Sequence, residues 1–341
     1  MQKRHTGPRI GPETMKPDAG ISQKIARLTA GAFLLLAGLS GCASMVPQTM
    51  ALRDAWPTGV AVRSELGEAP FFPQQDYQCG PAALATVLVH AGVQVSPEEL
   101  VGLVYIPARQ GSLQAEMLAA SRRYSRVSYQ IAPRFDALLR EVAAGNPVVV
   151  LQDTGAGPVT NWHYAVVVGY DYPAGELYLR SGETRRLAMP FTVFEYTWKK
   201  SNYWAMVAMP PDRMPATATE MAYPAAIAAM ERVGESPAVI LAYSAFLERW
   251  PANVAASIGL ANQYYALGKL NAAETVLHQA AIRHPESVPV LNNLAHILSD
   301  LGRNTEALVL IERALQSAQG PFAAAARETQ ALILQRMDGN K

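Results

Sequence analysis

The sequence predicts two folded units, an α+β domain followed by an all-α solenoid. Its 341 residues exceed the usual size of one domain, and half of them are hydrophobic, enough to form sizeable cores. Between residues 69 and 212, helical patterns come first and strand patterns second, the order typical of an α+β fold. After residue 222, small and apolar residues recur every 34 positions, which indicates a helical repeat.

The balance of charges argues against a polyanionic partner. The chain has 29 basic and 28 acidic residues, and its lysines and arginines form no run. We therefore expect no binding to nucleic acid. The histidines lack the spacing of metal ligands, so we expect neither a metal nor another cofactor.

The first 41 residues have the features of an export signal. Lys24 and Arg27 precede an apolar run of roughly a dozen residues, which is too short to remain as a membrane anchor. Translation could begin at Met1 or at Met15, which would give a more ordinary basic leader.

The signal ends in Leu-Ser-Gly followed by Cys42, which resembles the lipobox of bacterial lipoproteins. This resemblance implies cleavage before Cys42 and attachment of a lipid to that residue. Ala43 follows the cysteine, which in such lipoproteins favours the outer membrane, on its periplasmic side. The alternative is a plain signal peptide that happens to contain a cysteine. Residues 42–68 are expected to form a tether.

Cys79 is the second of two cysteines, so a mature lipoprotein would have no intramolecular disulfide. Packing or chemistry must then account for it, and a free cysteine is often simply a small buried residue. Gly80 and Pro81 follow, and proline favours the first turn of a helix. A helix that begins at Cys79 would direct its positive end at the thiol and lower the thiol pKa. This position suits a nucleophile.

His163 is the candidate base for that thiol. His5 belongs to the signal, and His90 lies eleven residues along the same helix, roughly 16 Å away. His278, His284 and His296 fall in the repeat region, where we expect surface or groove positions. His163 precedes a β-branched run that predicts a buried strand ending at Gly169. A structural histidine at a sheet edge is the alternative.

Three motifs together resemble the C39-type, papain-like cysteine peptidases. They are a glutamine shortly before Cys-Gly, a Gly-Ser-Leu turn at residues 111–113, and HYAVVVGYD from His163. The likeness covers about residues 69–209 and extends to a group of bacterial lipoproteins with helical repeats behind the peptidase. It implies that Cys79 is the nucleophile, His163 the general base and acid, and Gln74 the oxyanion-hole donor, with Gln75 as the neighbouring possibility.

The third catalytic position departs from this family. Its members usually carry an aspartate that orients the histidine, whereas alignment of LYLRSG puts Ser181 there. Serine can fix the tautomer of the ring but brings no negative charge. Asp171 and Glu183 are the nearby acids that could substitute. We therefore expect a dyad or a weak triad.

The remainder of the chain resembles tetratricopeptide repeats. Residues 213–222 are rich in proline, threonine and alanine and are expected to form an exposed linker. Within residues 223–338, two units carry the motif well and the first, around 220–251, matches poorly. Such arrays usually bind a protein or peptide in a groove, although a spacer or a dimerisation surface is the alternative.

These expectations combine into a lipid-anchored thiol peptidase whose repeats bind protein partners. The competing hypothesis is a binding scaffold in which the peptidase-like domain is inert. The substrate would be a peptide or protein, and the same residues would also serve another amide hydrolase or an acyl transferase.

Overall fold

The computed structural model describes residues 45–74, 78–155 and 159–339. The predicted signal, Cys42 and Gln75 lie outside these ranges. The elements of the first domain are, in chain order, α1 (Pro47–Asp54), β1 (Arg63–Glu65), α2 (Cys79–His90), α3 (Pro97–Val104), β2 (Tyr105–Ile106), β3 (Gly111–Ser112), α4 (Gln114–Arg123), β4 (Val127–Gln130), α5 (Phe135–Ala143), β5 (Val148–Asp153), β6 (Trp162–Asp171), β7 (Glu176–Ser181), β8 (Thr184–Pro190), α6 (Phe191–Trp198) and β9 (Ala205–Met209).

A seven-stranded antiparallel sheet forms the middle of this domain. Over the described residues its order is β4-β9-β5-β6-β7-β8, and β1 pairs with β6 beyond the β6–β7 bulge. The predicted α+β layout and the predicted β6–β7 hairpin are confirmed. β6 runs to Asp171 rather than ending at Gly169, because β1 adds a partner there. A side chain at Gly169 would meet the Ser64 carbonyl at 2.8 Å, so the approach of β1 requires glycine.

Both faces of the sheet are covered by helices. Side chains alternate along a strand, so Val148 and Val150 enter one core while Val149 and Leu151 enter the other. Helices α2, α3 and α4 cover the second face, and α5 and α6 cover the first. The sheet is therefore the middle layer of three.

Helix α2 is more deeply buried than its pattern predicts. The sequence suggests one apolar stripe, whereas every residue from Gly80 to Leu88 is buried. The reason is that α2 packs against both the sheet and the neighbouring helices α3 and α4. Its first turn is consequently a fixed part of the core.

The predicted tether over residues 42–68 is wrong for its described part. The buried carboxylate of Glu195 in α6 accepts the backbone N–H groups of Gln48 at 2.9 Å and Thr49 at 2.6 Å. Helix α1 is thereby held against α6, and β1 joins the sheet. This segment belongs to the folded domain.

The predicted exposed linker is likewise bound to the first domain. Glu141 is fully buried and accepts N–H groups from Ala216 at 3.1 Å and Thr217 at 2.7 Å, while Ala218 is buried nearby. The carboxylate accepts two backbone donors of this segment, so residues 213–222 do not behave as a free connection.

The second part of the chain is a run of helices with a regular spacing. They are α7 (Tyr223–Glu231), α8 (Ser236–Arg249), α9 (Val254–Ala266), α10 (Leu270–Arg283), α11 (Val288–Asp300), α12 (Asn304–Ser317) and α13 (Gly320–Gly339). Helices α8, α10 and α12 begin 34 residues apart, as do α9 and α11. The predicted all-α solenoid is confirmed, and its weakly matching first unit is the helix pair α7–α8.

The first repeats share a hydrophobic core with the sheet. Tyr223, Phe246 and Leu260 belong to the same buried cluster as Val148 and Trp198. The two domains therefore meet through packed side chains as well as through the polypeptide. Among the described helices, none has both the length and the apolarity needed to cross a membrane.

Candidate active site

Cys79 is the first residue of α2, at the helix end that faces β6. No described side chain caps this end, so its first N–H groups are available to other acceptors. The thiol is half-buried, and the nearby backbone N–H groups of Tyr164, Gly80 and Cys79 itself act to lower its pKa. The contact with Tyr164 places the sulfur beside β6, one residue from His163.

His163 is the second residue of β6 and lies opposite Gln152 of β5. Its Nε2 atom is 2.8 Å from the hydroxyl oxygen of Ser181, the last residue of β7. When one ring nitrogen is held in this way, the other is left for a second partner. Nδ1 is thus the nitrogen through which His163 could exchange a proton with the thiol.

Cys79, His163 and Gln74 all line one cavity of about 910 Å³. The backbone N–H of Gln74 donates to the Gly182 carbonyl at 3.2 Å, which ties this residue to the β7–β8 turn. Ser181 lies immediately before that turn. The structure therefore brings together the four predicted site residues, from segments far apart in the sequence.

Burial dominates the electrostatics of both candidate catalytic groups. It raises the pKa of the Cys79 thiol, and the three N–H groups that contact the sulfur offset only part of this effect. Burial also lowers the pKa of His163. The expectation of a lowered thiol pKa is wrong, because the packing of α2 against β6 removes the water that would solvate a thiolate. Burial therefore favours the neutral form of each group.

The two alternative acids occupy different places. Asp171 is at the far end of β6, where it pairs with Arg63 at 2.8 Å, so it cannot orient His163. Glu183 is exposed and lines the cavity. It contributes a negative charge at the rim, whereas Ser181 makes the contact with the ring.

The remaining described histidines lie elsewhere. His90 ends α2, where its Nε2 atom is 2.9 Å from the Gly145 carbonyl. His278, His284 and His296 belong to the repeats, as predicted: His278 lines a second cavity of about 540 Å³ between α10 and α12, and His296 contacts Asp300. No group of three or more metal-ligating side chains occurs within the described ranges.

Ser112 is a cavity residue whose role the sequence reasoning missed. A side chain at Gly80 would lie 2.6 Å from the Ser112 Cβ, so the Gly-Ser turn packs directly on the first turn of α2. The Ser112 hydroxyl is buried and has no hydrogen-bond partner among the described residues. The sequence identifies this turn only as a motif. Such a hydroxyl inside a cavity can bind a polar atom of a ligand.

Asp153 organises the strand end that leads to His163. Its carboxylate accepts the N–H groups of Gly155 at 2.9 Å and Asn161 at 2.8 Å, and it pairs with Lys200 at 3.3 Å. The Asn161 N–H is the largest of the effects that hold the pKa of Asp153 below its usual range. Asn161 and Lys200 both line the cavity, so this ionised carboxylate fixes two parts of its wall.

Comparison with known proteins identifies two matching families. The model of the Peptidase_C39 like family matches residues 67–206, and that of the tetratricopeptide repeat matches residues 290–319. A C39-like peptidase structure from Bacillus anthracis is 17% identical over 45% of this chain and 98% of its own, with a TM-score of 0.38.

A second solved structure is the peptidase domain of Streptococcus ComA, described as a bifunctional ABC transporter involved in a quorum-sensing pathway. It is 21% identical over 42% of this chain and 98% of its own, with a TM-score of 0.35. A search of curated proteins found no match. The two family matches confirm the resemblance seen in the sequence: this chain joins a Peptidase_C39-like domain to a tetratricopeptide repeat domain.

Proposed function

We propose that this protein is an exported, lipid-anchored thiol peptidase. The observation that carries the proposal is the arrangement of His163, whose Nε2 atom is held by Ser181 while its ring lines the same cavity as Cys79. A peptidase of this kind needs a thiol, a base and an oriented ring in one water-accessible place. The repeats would bind a protein partner or the substrate itself.

The reaction would proceed through a thioester. His163 Nδ1 takes the proton of the Cys79 thiol as the sulfur attacks the carbonyl carbon of the scissile bond. The Gln74 amide and the Cys79 N–H stabilise the resulting oxyanion. Collapse of this intermediate breaks the C–N bond, and the imidazolium gives its proton to the departing amine. Water, activated by His163, then releases the acid product and restores the thiol.

Export and anchoring would follow from the N-terminal sequence. Residues 1–41 would be removed as a signal, and Cys42 would carry the lipid that holds the protein on the periplasmic side of the outer membrane. Replacement of Cys42 by serine should release the protein from membranes. Continued membrane association of that variant would refute the lipid anchor.

The catalytic proposal is tested by alkylation of Cys79 with iodoacetamide near neutral pH. We expect His163→Ala to slow labelling by at least about tenfold, since a positioned general base typically contributes more than this. His90→Gln is the matched control, because His90 lies on the same helix as Cys79 but at its other end. Equal labelling of all three proteins would contradict the proposal.

The same electrostatics favour a second function, that of a binding scaffold whose peptidase-like domain is inert. A raised thiol pKa, together with a neutral Ser181 in place of an acid, would suit a peptidase-like domain that only binds. A comparison of protein termini in cells with the native chain and with Cys79→Ala separates the two functions. Termini that depend on Cys79 support the peptidase, and their absence supports the scaffold.

A further inference from the structure

The exposed side of α6 and the residues beside it form a small amphipathic surface. Met45, Val193 and Tyr196 are 43%, 48% and 38% exposed. Lys199 and Lys200 follow directly after the helix. We refer to these five residues as the lysine-tyrosine surface.

These residues are contiguous in space. Val193 and Tyr196 are three positions apart on α6 and therefore share a face. The Lys200 ammonium lies 5.1 Å from the centre of the Tyr196 ring, and the Lys199 ammonium donates to the Met45 carbonyl at 2.6 Å. The contacts join the start of the described chain to the end of α6.

The surface keeps a net positive charge because the acid of α6 points inward. Glu195 is fully buried, where it accepts N–H groups from α1 and a hydroxyl from Tyr203 at 3.3 Å. Tyr196, Val193 and Met45 lie outside, beside the half-buried Lys199 and Lys200. Lys200 is also paired with the buried Asp153 at 3.3 Å, so Lys199 supplies the positive charge that no carboxylate of the described residues offsets. This combination suits the boundary of an anionic bilayer, since tyrosine favours the headgroup region and lysines attract acidic lipids.

The chain length to Cys42 places a lipid close to this surface. Met45 is only three residues after Cys42, and three residues span at most about 11 Å. Because α1 is fixed to α6, the chain that follows Met45 adds no free length to this distance. A lipid on Cys42 would therefore bring the lysine-tyrosine surface to the bilayer.

We propose that the lysine-tyrosine surface rests on anionic lipid headgroups and holds the mouth of the active-site cavity beside the membrane. Lys200 belongs both to this surface and to the wall of the cavity that contains Cys79. The preferred substrates are then polypeptide segments that lie close to a bilayer. This inference rests on the proposed lipid anchor and peptidase activity.

The test uses the lipidated full chain in vesicles of phosphatidylethanolamine and phosphatidylglycerol. An environment-sensitive fluorophore is attached to Val193→Cys in a Cys79→Ala background, and to Val309→Cys as the control. Val309 is also well exposed, at 62%, but lies on α12 of the repeats. We expect a blue-shifted emission and quenching by lipid-attached quenchers at position 193 alone. Vesicles of phosphatidylcholine should give a smaller effect, because they lack the anionic partners of the lysines.

Two outcomes would overturn this orientation. A protein that sediments with the vesicles while its label at position 193 stays in water keeps its anchor but turns another side to the bilayer. The lysine-tyrosine surface would then be free for a protein partner. A protein that does not sediment lacks the anchor altogether. Alkylation of Cys79 in the chain without these substitutions reports separately on the peptidase site.

Discussion

The Nε2 atom of His163 lies 2.8 Å from the hydroxyl oxygen of Ser181 on the neighbouring strand. The contact fixes the ring without a charge, whereas an aspartate in this position would also stabilise the imidazolium. In the proposed peptidase, catalysis would therefore depend on orientation of the ring more than on electrostatic help from the third residue.

Removal of the Ser181 hydroxyl should reduce reactivity moderately. We expect Ser181→Ala to slow Cys79 alkylation by roughly 2- to 12-fold, the effect of losing a hydrogen bond worth about 0.5–1.5 kcal/mol. Ser181→Asp should instead raise the pKa of His163, because a carboxylate favours the protonated ring. Alkylation rates as a function of pH measure both effects. Thr184→Ala, at an exposed neighbouring position, is the control, and identical profiles for all variants would contradict a role for Ser181.

The rate of Cys79 alkylation should rise with pH in two steps. The first step reports deprotonation of His163, which can then take the thiol proton, and it should lie below the ordinary histidine pKa because burial lowers that pKa. The second reports ionisation of the thiol itself and should lie above its ordinary value, because burial raises it. In His163→Ala only the second step should remain. A native profile that is already maximal in acid would instead indicate a thiolate–imidazolium pair.

Gly80→Ala should disturb the site through steric contact with Ser112. The new methyl group would lie 2.6 Å from the Ser112 Cβ, and overpacking of this kind typically costs about 1–3 kcal/mol. We expect a lower free energy of unfolding in urea and slower labelling of Cys79. Adding Ser112→Gly should restore much of the stability, since it removes the atoms that clash. If Gly80→Ala loses no stability, or if the double variant regains none, the steric contact between residue 80 and Ser112 does not limit stability.

Glu141 should be important for the attachment of the repeats. Glu141→Ala would leave the part-buried N–H groups of Ala216 and Thr217 without their acceptor, at a cost of up to about 1–3 kcal/mol. We expect a lower urea midpoint and faster proteolysis within residues 213–222. Glu141→Gln, which keeps an acceptor oxygen, should lose less. Glu248 is exposed, so Glu248→Ala provides the control. Equal cleavage in all variants would contradict the proposed role of Glu141 in holding residues 213–222.

The elements that carry strong local signals could be predicted from the sequence. Pro81 marks the start of α2, the β-branched run after His163 marks β6, and the 34-residue period marks the repeats. The family motifs then assigned Cys79 and Gln74 to one site, and both line the same cavity.

Features that depend on tertiary contacts could not be predicted in this way. Strand β8 could not be predicted because it lies at a sheet edge and opens with three consecutive exposed polar residues instead of an alternating pattern. The predicted tether is held by Glu195 and the predicted linker by Glu141. Both carboxylates bind backbone groups, and such contacts leave no pattern in the sequence. The direction of the thiol pKa could not be predicted for a similar reason: the sequence indicates the helix end, whereas the burial that raises the pKa arises from tertiary packing.

The hydrophobic core that the sheet shares with Tyr223 and Phe246 also fixes the geometry between the two domains. A partner held on the repeats would be presented to Cys79 at a set distance and angle, with little freedom to swing. The number of residues between the recognised segment and the scissile bond would then be part of the specificity.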